Sequence, residues 1–390
     1  MRKTVKLGEI AKAVGGNGFP KKYQGYKNKD IPFFKVSDMN TDGNEKFMLK
    51  SNNFVDVNDL KEMKAKLHPA GTIIFPKIGG AISTNKKRIL TKDAAFDNNV
   101  MGVVPSNKIL PEYLYKFFLN IDLYELSNKA ALPSIKNGTV NDIDFVLPPL
   151  AEQERIVAKL DAAFAEIDSA IDMSTAKENE VKKLDRFLLE NLFKENFDIK
   201  KIGDLGDVKS GGTPKSTEQS YWNGEIDWYS SGELNNMYTS QTAKHITNKG
   251  LSNSNAKIFP KGSLLVGMYD TAAMKMSILQ KEATFNQAIV GIPPNEFALP
   301  EYLFYALNFL KPKILLERRG VRQQNLSLAK IKNIDIPIPS MEQQQYIVSQ
   351  ANIAAQKTES ILKTLSSKKA QFGILKSAIL AQELQSSEAA

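Results

Sequence analysis

Arginine and glutamine side chains are concentrated in one run near residue 320, ERRGVRQQN. Arginine can bind guanine through two hydrogen bonds, and glutamine can bind adenine in the same way. Both pairings suit the reading of base edges in the major groove of DNA. The run therefore supplies candidate base-reading residues, which are Arg318, Arg319, Arg322, Gln323 and Gln324.

Lysine and polar residues gather in other segments that have the composition of loops. Lysine mainly holds phosphate, so we predict that the lysine runs contact the DNA backbone. The candidates in the first half are Lys21, Lys22, Tyr23, Gln24, Lys35, Ser37, Lys86, Lys87, Arg88, Ser134, Lys136 and Asn137. Those in the second half are Lys215, Ser216, Thr217, Ser230, Ser231, Tyr269 and Lys275. An aromatic cluster could stack on bases, although core packing is favoured for it; its members are Tyr221, Trp222, Trp228 and Tyr229.

Residues suited to catalysis are scarce. The chain has no cysteine and only two histidines, His68 and His245, which excludes thiol chemistry and a histidine-rich metal cage. We expect both histidines at the surface or in loops. The sequence contains neither a GxxxxGKS/T phosphate loop nor the Pro-Pro-aromatic tetrapeptide of adenine methyltransferases, and the glycines from Gly15 predict a turn. We therefore expect a non-catalytic chain without a metal or cofactor of its own.

Positive charge is unevenly distributed along the 390 residues, whose net charge is +9. The segment charges are +8 for residues 1–150, −4 for 151–196, +4 for 197–340 and +1 for the remainder. Two basic blocks separated by an acidic segment suit a protein that presents two surfaces to a polyanion. No run approaches the roughly 20 apolar residues of a membrane span, and the start MRKTVKLGEIAK lacks the apolar core of a signal peptide. We expect a cytoplasmic protein.

The chain contains one internal repeat. KLGEIAKAVGGNGFPK, from Lys6, matches KIGDLGDVKSGGTPKS, and IPFFKVSDMN matches IDWYSSGELN, in both cases 195 positions later. PAGTIIF then matches PKGSLLV, AFDNNVMGVVP matches TFNQAIVGIPP, and LPEYL occurs twice. DIDFVLPPLAEQERIV finally matches NIDIPIPSMEQQQYIV. Six blocks in the same order predict two domains of the same fold that differ in their loops.

Each repeat is predicted to be a mixed domain followed by a long helix. Short β-branched or aromatic runs indicate strands, and the segments after Pro111 and Pro300 indicate short helices. Longer helices, each of roughly 40 to 45 residues, begin after Pro148 and Pro339. Ser340 and Gln343 have the spacing of a capping box at the second of these starts. The predicted fold class is α+β, with segments at 1–147 (first domain), 148–196 (central helix), 197–338 (second domain) and 339–390 (C-terminal helix).

The two long helices carry apolar residues at heptad spacing. The first series is Val157, Leu160, Phe164, Ile167, Ile171, Val181 and Leu188. The second is Ile347, Ala351, Ala354, Ile361, Leu365, Phe372, Leu375 and Ile379. We predict that the helices pair as an antiparallel coiled coil about a pseudo-two-fold axis, which would space the two domains. The alternative is that each helix only packs on its own domain as a core helix.

Several of these segments resemble a known family. LPPLAEQERIVAKLDAAF, from Leu147, resembles the start of the central conserved helix in specificity subunits of type I restriction-modification systems. IPIPSMEQQQYIV, from Ile336, is the equivalent segment of the second half. KSGGTPKS, from Lys209, followed by IDWYSSGEL, resembles the opening of that family's target recognition domains, whereas the first half has GGNGFPKK there. The resemblance extends over essentially the whole chain.

The resemblance implies a non-catalytic subunit that reads DNA. Each target recognition domain would read half of an asymmetric, gapped target, and the helices would set the gap. Two methyltransferase subunits and two translocating endonuclease subunits would bind the chain, and S-adenosylmethionine, ATP and magnesium would belong to those partners. Two alternatives stay open from the sequence: a catalytic methyltransferase or nuclease, and a coiled-coil adaptor that binds only protein.

Overall fold

The computed structural model describes residues 3–195, 197–269, 272–319 and 326–385. Two compact units make up the chain. The first comprises the residues as far as Ser174 together with those from Ser367 onward, and the second runs from Thr175 to Ser366. The boundaries between the units fall inside the two long helices, because each helix contributes apolar side chains to both hydrophobic cores.

The first unit combines small sheets with helices. Its strands are β1 (Lys3–Lys6), β2 (Ala11–Gly15), β3 (Ile31–Phe34), β4 (Phe47–Met48), β5 (Phe54–Val55), β6 (Ile73–Pro76), β7 (Arg88–Leu90), β8 (Ala95–Phe96), β9 (Val100–Pro105) and β10 (Asp144–Leu147). Its helices are α1 (Val57–Met63), α2 (Pro111–Leu119), α3 (Asn137–Asn141) and the first part of α4 (Leu150–Leu192). One sheet has the order β2-β9-β6-β7-β4, a second has the order β5-β3-β8, and β1 pairs with β10.

The second unit repeats this arrangement. Its strands are β11 (Ile199–Lys201), β12 (Lys209–Ser210), β13 (Trp222–Tyr229), β14 (His245–Ile246), β15 (Leu264–Gly267), β16 (Met276–Ile278), β17 (Thr284–Phe285), β18 (Ile289–Ile292) and β19 (Asp335–Pro337). Its helices are α5 (Asn248–Ser252), α6 (Pro300–Arg319), α7 (Leu328–Lys332) and the first part of α8 (Met341–Gln385).

Strand order in the second unit corresponds to that of the first, except that β4 has no counterpart among the described strands of the second unit. The order β12-β18-β15-β16 matches β2-β9-β6-β7, and β14-β13-β17 matches β5-β3-β8. Antiparallel pairing of β11 with β19 likewise matches that of β1 with β10. The internal repeat of the sequence is therefore a repeat of topology. The α+β fold class is confirmed, and so are the predicted strands and the helix starts at Pro111 and Pro300. The prediction of a short helix after Pro300 was wrong in length, since α6 has 20 residues.

In the first unit, segments of both long helices pair in antiparallel fashion. Lys159 of α4 forms an ion pair with Glu383 of α8 (2.6 Å), and Asp168 of α4 forms one with Lys376 of α8 (2.7 Å). From the first ion pair to the second, residue numbers rise along α4 and fall along α8, so the two helices run in opposite directions. Leu160 and other α4 side chains also enter the core of the unit, so this part of α4 is both a paired helix and a core helix.

In the second unit the other ends of the same helices meet. The hydroxyl of Thr358 in α8 donates a hydrogen bond to Asp185 Oδ1 in α4 (3.1 Å). Leu189 and Leu192 pack against the core that contains Ile347 and Ala351. The helices contain 43 and 45 residues, which agrees with the predicted lengths. The capping box predicted at the start of α8 is present between Ser340 and Gln343.

The strict heptad register does not hold along the whole of either helix. Leu188 is 40% exposed, and Ile361 and Leu375 are each 46% exposed, so their assignment to the helix pair was wrong. Residues one position later, such as Leu189, turn inward instead. An α-helix has 3.6 residues per turn, and a 3.5-residue repeat therefore drifts around its surface. The other predicted positions of both series are buried or half-buried.

One buried glutamine ties the start of each long helix to its domain. Gln153 accepts a hydrogen bond from the amide of Leu110 (2.8 Å) and donates to the carbonyls of Lys108 (3.1 Å) and Pro148 (2.9 Å). Gln344, its equivalent in the second unit, makes the same three bonds to Leu299 (2.9 Å), Phe297 (2.8 Å) and Pro339 (2.9 Å). The matching pairs at the two helix starts are Glu152-Gln153 and Gln343-Gln344, and in each pair only the second residue is buried.

The two histidines differ from each other in their surroundings. His68 lies in the connection between α1 and β6, as the loop alternative predicted, but it is buried and stacks on Phe96, with ring centroids 4.5 Å apart, so it is not a surface residue. Burial lowers the pKa of His68, and its Nε2 has no hydrogen-bond partner within the described part of the chain. His245 is half-buried in β14, with Nε2 3.3 Å from Asp227 Oδ1. Its interaction is therefore with a buried carboxylate.

The aromatic cluster of the second unit packs as the sequence predicts. Trp228 and Tyr229 are buried, and they donate hydrogen bonds to the carbonyls of Gly212 and Ser240. Trp222 lies edge-on to Trp228, with centroids 5.2 Å apart. Among the described helices, none is long and apolar enough to cross a membrane.

Candidate nucleic-acid interface

Two parallel strands end side by side in each unit. β3 runs parallel to β8 in the first unit, and β13 runs parallel to β17 in the second. The carboxyl ends of parallel strands meet at one edge of a sheet, so the segments that follow them are neighbours. We call this edge, with residues 35–40 and 97–99 in the first unit and 230–235 and 286–288 in the second, the strand-end edge. Side chains that differ between the two repeats are brought together there.

The first segment at each strand-end edge is a short 3-10 turn held by a carboxylate. The amide of Lys35 donates to Asp38 Oδ2 (2.7 Å), and the amide of Ser230 donates to Glu233 Oε2 (2.7 Å). Burial raises the pKa of Glu233, but hydrogen bonds from Ser230 and Thr242 outweigh it and leave the pKa lowered. Both turns are thereby fixed while the residues at their surface differ between the units.

The turns also place two of the predicted lysines. Lys86 Nζ donates to the side-chain oxygen of Asn40, and Lys275 Nζ donates to the side-chain oxygen of Asn235 (2.9 Å). Asn40 and Asn235 are the last residues of the matching blocks IPFFKVSDMN and IDWYSSGELN. An amide oxygen holds an ammonium group in place without neutralising its charge. Each strand-end edge therefore carries a positioned lysine.

The second segment at each edge is a tight turn with an amide side chain at its tip. Asp97 Oδ1 accepts from the amide of Asn99, and Asn286 Oδ1 accepts from the amide of Ala288, both at 3.0 Å. The residues between them, Asn98 and Gln287, are exposed. Sequence reasoning missed both, although the matching blocks AFDNN and TFNQA carry an amide residue at the same position.

A glycine lets the chain pass close to this turn in each unit. A Cβ atom on Gly16 would lie 2.0 Å from the carbonyl oxygen of Asp97, and one on Gly211 would lie 2.1 Å from that of Phe285. The glycine clusters are therefore sites of close backbone approach. The prediction of a simple turn at Gly15 was wrong, since Gly15 ends strand β2.

An open groove lies beside the tip of the second unit. It has a volume of about 650 Å³, and its walls include Lys209, Thr213, Lys257 and Gln287. The hydroxyl of Thr213 donates a hydrogen bond to Gln287 Oε1. Two lysines and several amide and hydroxyl groups make this groove suitable for a polar, anionic ligand.

The predicted residues after the first glycine cluster have mixed surroundings. Lys21 and Lys22 are exposed, and Lys22 lies 3.4 Å from Glu62. Gln24 accepts a hydrogen bond from Lys35 Nζ (3.3 Å), so the structure brings Gln24 to the strand-end edge. Tyr23 is buried with its hydroxyl on Glu62, which conflicts with its prediction as a DNA contact.

Lys87 and Arg88 also conflict with their prediction as phosphate contacts, because both are buried. Lys87 Nζ donates to Asn85 (2.7 Å) and to the carbonyl of Ile121 (2.6 Å), and burial lowers its pKa to about 8. Arg88 donates to the carbonyl of Met39 (3.0 Å) from strand β7. Arg88 opens strand β7, whose residues are buried on both faces, and Lys87 directly precedes the strand, whereas Lys86 one residue earlier is half-buried.

The remaining predicted residues lie in separate places. Ser134 pairs with Ile78 in a β-bridge, Lys136 is exposed before α3, and Asn137 donates to the carbonyl of Ala13 (3.3 Å). Lys215, Ser216 and Thr217 are exposed in the loop after Gly212, Ser37 is exposed, and Ser231 is half-buried. Tyr269 packs against the second core. Arg318 and Arg319 end helix α6 with side chains outside the described part, and Arg322, Gln323 and Gln324 lie outside the described residues.

Comparison with models of known protein families shows to which family the chain belongs. The family model described as the type I restriction modification DNA specificity domain matches residues 2–183 and 194–362. The chain belongs to this family. The two matched stretches follow the internal repeat, so this specificity subunit contains the family's domain twice.

Known specificity subunits are similar to this one in sequence. The type I restriction enzyme MjaIX specificity subunit of Methanocaldococcus jannaschii is 32% identical over 180 residues, which are 42% of this chain and 41% of the relative. The EcoR124I/EcoR124II specificity subunit of Escherichia coli is 26% identical over 257 residues, which are 62% of each chain. The chain thus aligns with less than two thirds of the length of either relative.

Solved structures share the fold of this specificity subunit. A chain from a type I restriction-modification system matches 98% of this chain and 97% of its own length, with a TM-score of 0.78 at 15% identity. The HsdS subunit from Thermoanaerobacter tengcongensis matches 98% of this chain and 96% of its own length, with a TM-score of 0.56 at 16% identity.

Proposed function

We propose that this specificity subunit reads an asymmetric, bipartite DNA target, with one unit for each half-site. The observation that carries the proposal is the paired strand-end edge. Equivalent groups, such as Lys86 and Lys275, lie at this edge in both units, yet the exposed side chains there differ between the units. A shared scaffold with exchanged surface residues suits two readers of different half-sites.

The proposal includes partner subunits that carry the chemistry. Two methyltransferase and two endonuclease subunits would dock on this chain in the cytoplasm, and S-adenosylmethionine, ATP and magnesium would belong to them. Exposed apolar side chains on the long helices support docking, among them Leu184, Phe187 and Leu188 on α4 and Ile361 on α8. The helices would also set the gap between the half-sites, because each is continuous and contributes to both units.

A map of modified bases in the host genome, with the gene intact and with it deleted, tests the proposal. We expect methylated adenine to disappear from one asymmetric, gapped motif on deletion. Restoring the gene on a plasmid should restore the same motif. Identical maps before and after deletion, in a host shown to produce the methyltransferase subunit, would contradict the proposal.

Substitution of Lys86 and Lys275 distinguishes the proposed function from a second candidate, a protein adaptor without DNA specificity. Replacing Lys86 and Lys275 by Gln should reduce the slope of log K against log salt by about 1 for each lysine. The motif in the methylation map should stay the same, because phosphate contacts carry no base information. Salt titrations of the assembled complex on target DNA give the slope.

Exposed lysines on the small helices serve as the matched control. Lys61 of α1 and Lys249 of α5 are exposed and lie outside the strand-end edges, so Gln at both positions should leave the slope unchanged. An adaptor that binds only protein would show no steep salt dependence in any variant. If the Lys86/Lys275 variant and the Lys61/Lys249 variant have equal slopes, Lys86 and Lys275 do not contact the DNA.

A further inference from the structure

Asn98 and Gln287 occupy the same place in the two units. Each follows the second parallel strand at its strand-end edge, and each is exposed at the tip of a tight turn. The residues before them, Asp97 and Asn286, hold the turns through equivalent side-chain bonds of 3.0 Å. Their positions are therefore common to both units, whereas their side chains differ in length by one methylene group.

The backbone that carries these two side chains is held by hydrogen bonds. The amide of Asp97 donates to the carbonyl of Phe34 (2.9 Å), and the amide of Asn286 donates to that of Tyr229 (2.9 Å), so each turn is bonded to the neighbouring strand. Burial raises the pKa of Asp97 despite hydrogen bonds from Asn99 and the nearby charge of Lys35. A side chain on a fixed backbone loses less freedom on binding, which favours a specific contact.

The chemistry of both side chains suits one base. An amide can donate to adenine N7 and accept from its N6 amino group, which gives two hydrogen bonds in the major groove. In the second unit, Gln287 Oε1 already accepts from the Thr213 hydroxyl. A carbonyl oxygen has a second lone pair, so the oriented amide keeps one acceptor position and both donors.

Charged groups around the tips complete the environment that a base contact needs. Gln287 lines the groove that also contains Lys209 and Lys257. In the first unit, Lys35 at the neighbouring strand end lies close enough to Asp97 to act on its charge. Positive side chains at the same edge as the amide would hold the phosphates on either side of the base that the amide reads.

We propose that Asn98 and Gln287 are specificity-determining residues, each reading one base of its own half-site, with adenine as the best match. This inference rests on the proposed function, since it requires that each unit reads one half-site. It assigns base reading to the strand-end edges of both units and adds to the Arg and Gln run of the second unit.

Conversion of each amide to a carboxylate gives the sharpest test. A carboxylate accepts hydrogen bonds but cannot donate to adenine N7, and it can accept from the amino group of cytosine. Gln287→Glu should therefore shift the preferred base at one position of one half-site from adenine toward cytosine. Gln287→Ala should relax that position, with discrimination reduced by about 10- to 100-fold. Asn98→Asp and Asn98→Ala should do the same in the other half-site only.

The measurement uses the full chain expressed with its methyltransferase subunit in a host that lacks the system. Genome-wide maps of modified bases give the methylated fraction of every variant of the motif. Exposed amides on the small helices away from the edges, Asn58 of α1 and Asn248 of α5, provide matched controls, and their Ala variants should leave the motif unchanged. Thermal melting of each purified variant shows whether it is folded.

Each outcome decides a different claim. A wild-type map without a gapped motif would overturn the proposed function and this inference together. A gapped wild-type motif that Gln287→Ala and Asn98→Ala leave unchanged would overturn the inference alone. Uniform loss of methylation at every site by a variant with unchanged Tm would also overturn it, because that result assigns the residue to affinity and not to base choice.

Discussion

Gly16→Ala is expected to destabilise the first unit by about 3 kcal/mol or more, a large effect for a change of one methyl group. The added Cβ would lie 2.0 Å from the carbonyl oxygen of Asp97 and 2.4 Å from that of Phe96. Both atoms belong to the backbone of a strand and its turn, which are paired with β3 and cannot move aside alone. Chemical denaturation of the purified chain measures the loss.

Gly18 supplies the control two residues further along the chain. A Cβ there meets nothing within 4 Å, so Gly18→Ala should change the stability by less than about 1 kcal/mol. The second unit offers an independent pair, since Gly211 is crowded by Phe285 and Gly232 has open space. Equal stability of the Gly16→Ala and Gly18→Ala variants would contradict the close approach at the strand-end edge.

Gln344→Ala is expected to cost about 3 to 5 kcal/mol, because it removes a buried side chain and leaves three backbone groups without their partner. These groups are the amide of Leu299 and the carbonyls of Phe297 and Pro339. The variant should also loosen the start of α8 from the second unit. Urea unfolding and proteolysis near residue 340 report the two effects.

The adjacent Gln345 is exposed, so Gln345→Ala is a control with the same chemical change at the next position. It should stay within about 0.5 kcal/mol of the wild type. Gln344→Glu keeps the size of the side chain but removes its donors, and it should lose a large part of the stability that Gln344→Ala loses. A stable Gln344→Ala variant would mean that the three bonds are replaced by water at little cost.

Local patterns in the sequence predicted much of the fold. Matching blocks predicted two domains of one topology, and prolines together with a capping box located the starts of α4 and α8 within two residues. These features depend on neighbouring residues, which is why a single sequence reveals them. The direction of helix pairing followed from the order of the repeat, and ion pairs such as that of Lys159 with Glu383 bear it out.

The surroundings of individual side chains were harder to predict. Lys86, Lys87 and Arg88 form one basic run, yet Lys86 lies at the strand-end edge and the other two are buried. His68 was expected at the surface or in a loop, and it is buried against Phe96. Burial at these positions is decided by which strand pairs with which, and the run of charges carries no information about that pairing.

The sequence by itself determined the repeat, the α+β class, the two long helices and membership in a family of DNA specificity subunits. Only the tertiary structure brought the ends of β3 and β8, and of β13 and β17, to one edge with Asn98 or Gln287 at its tip. More than 50 residues separate the paired strands in the chain, and their contact is made by backbone hydrogen bonds. Those bonds are the same for every residue type, so side-chain patterns could not show which loops would meet.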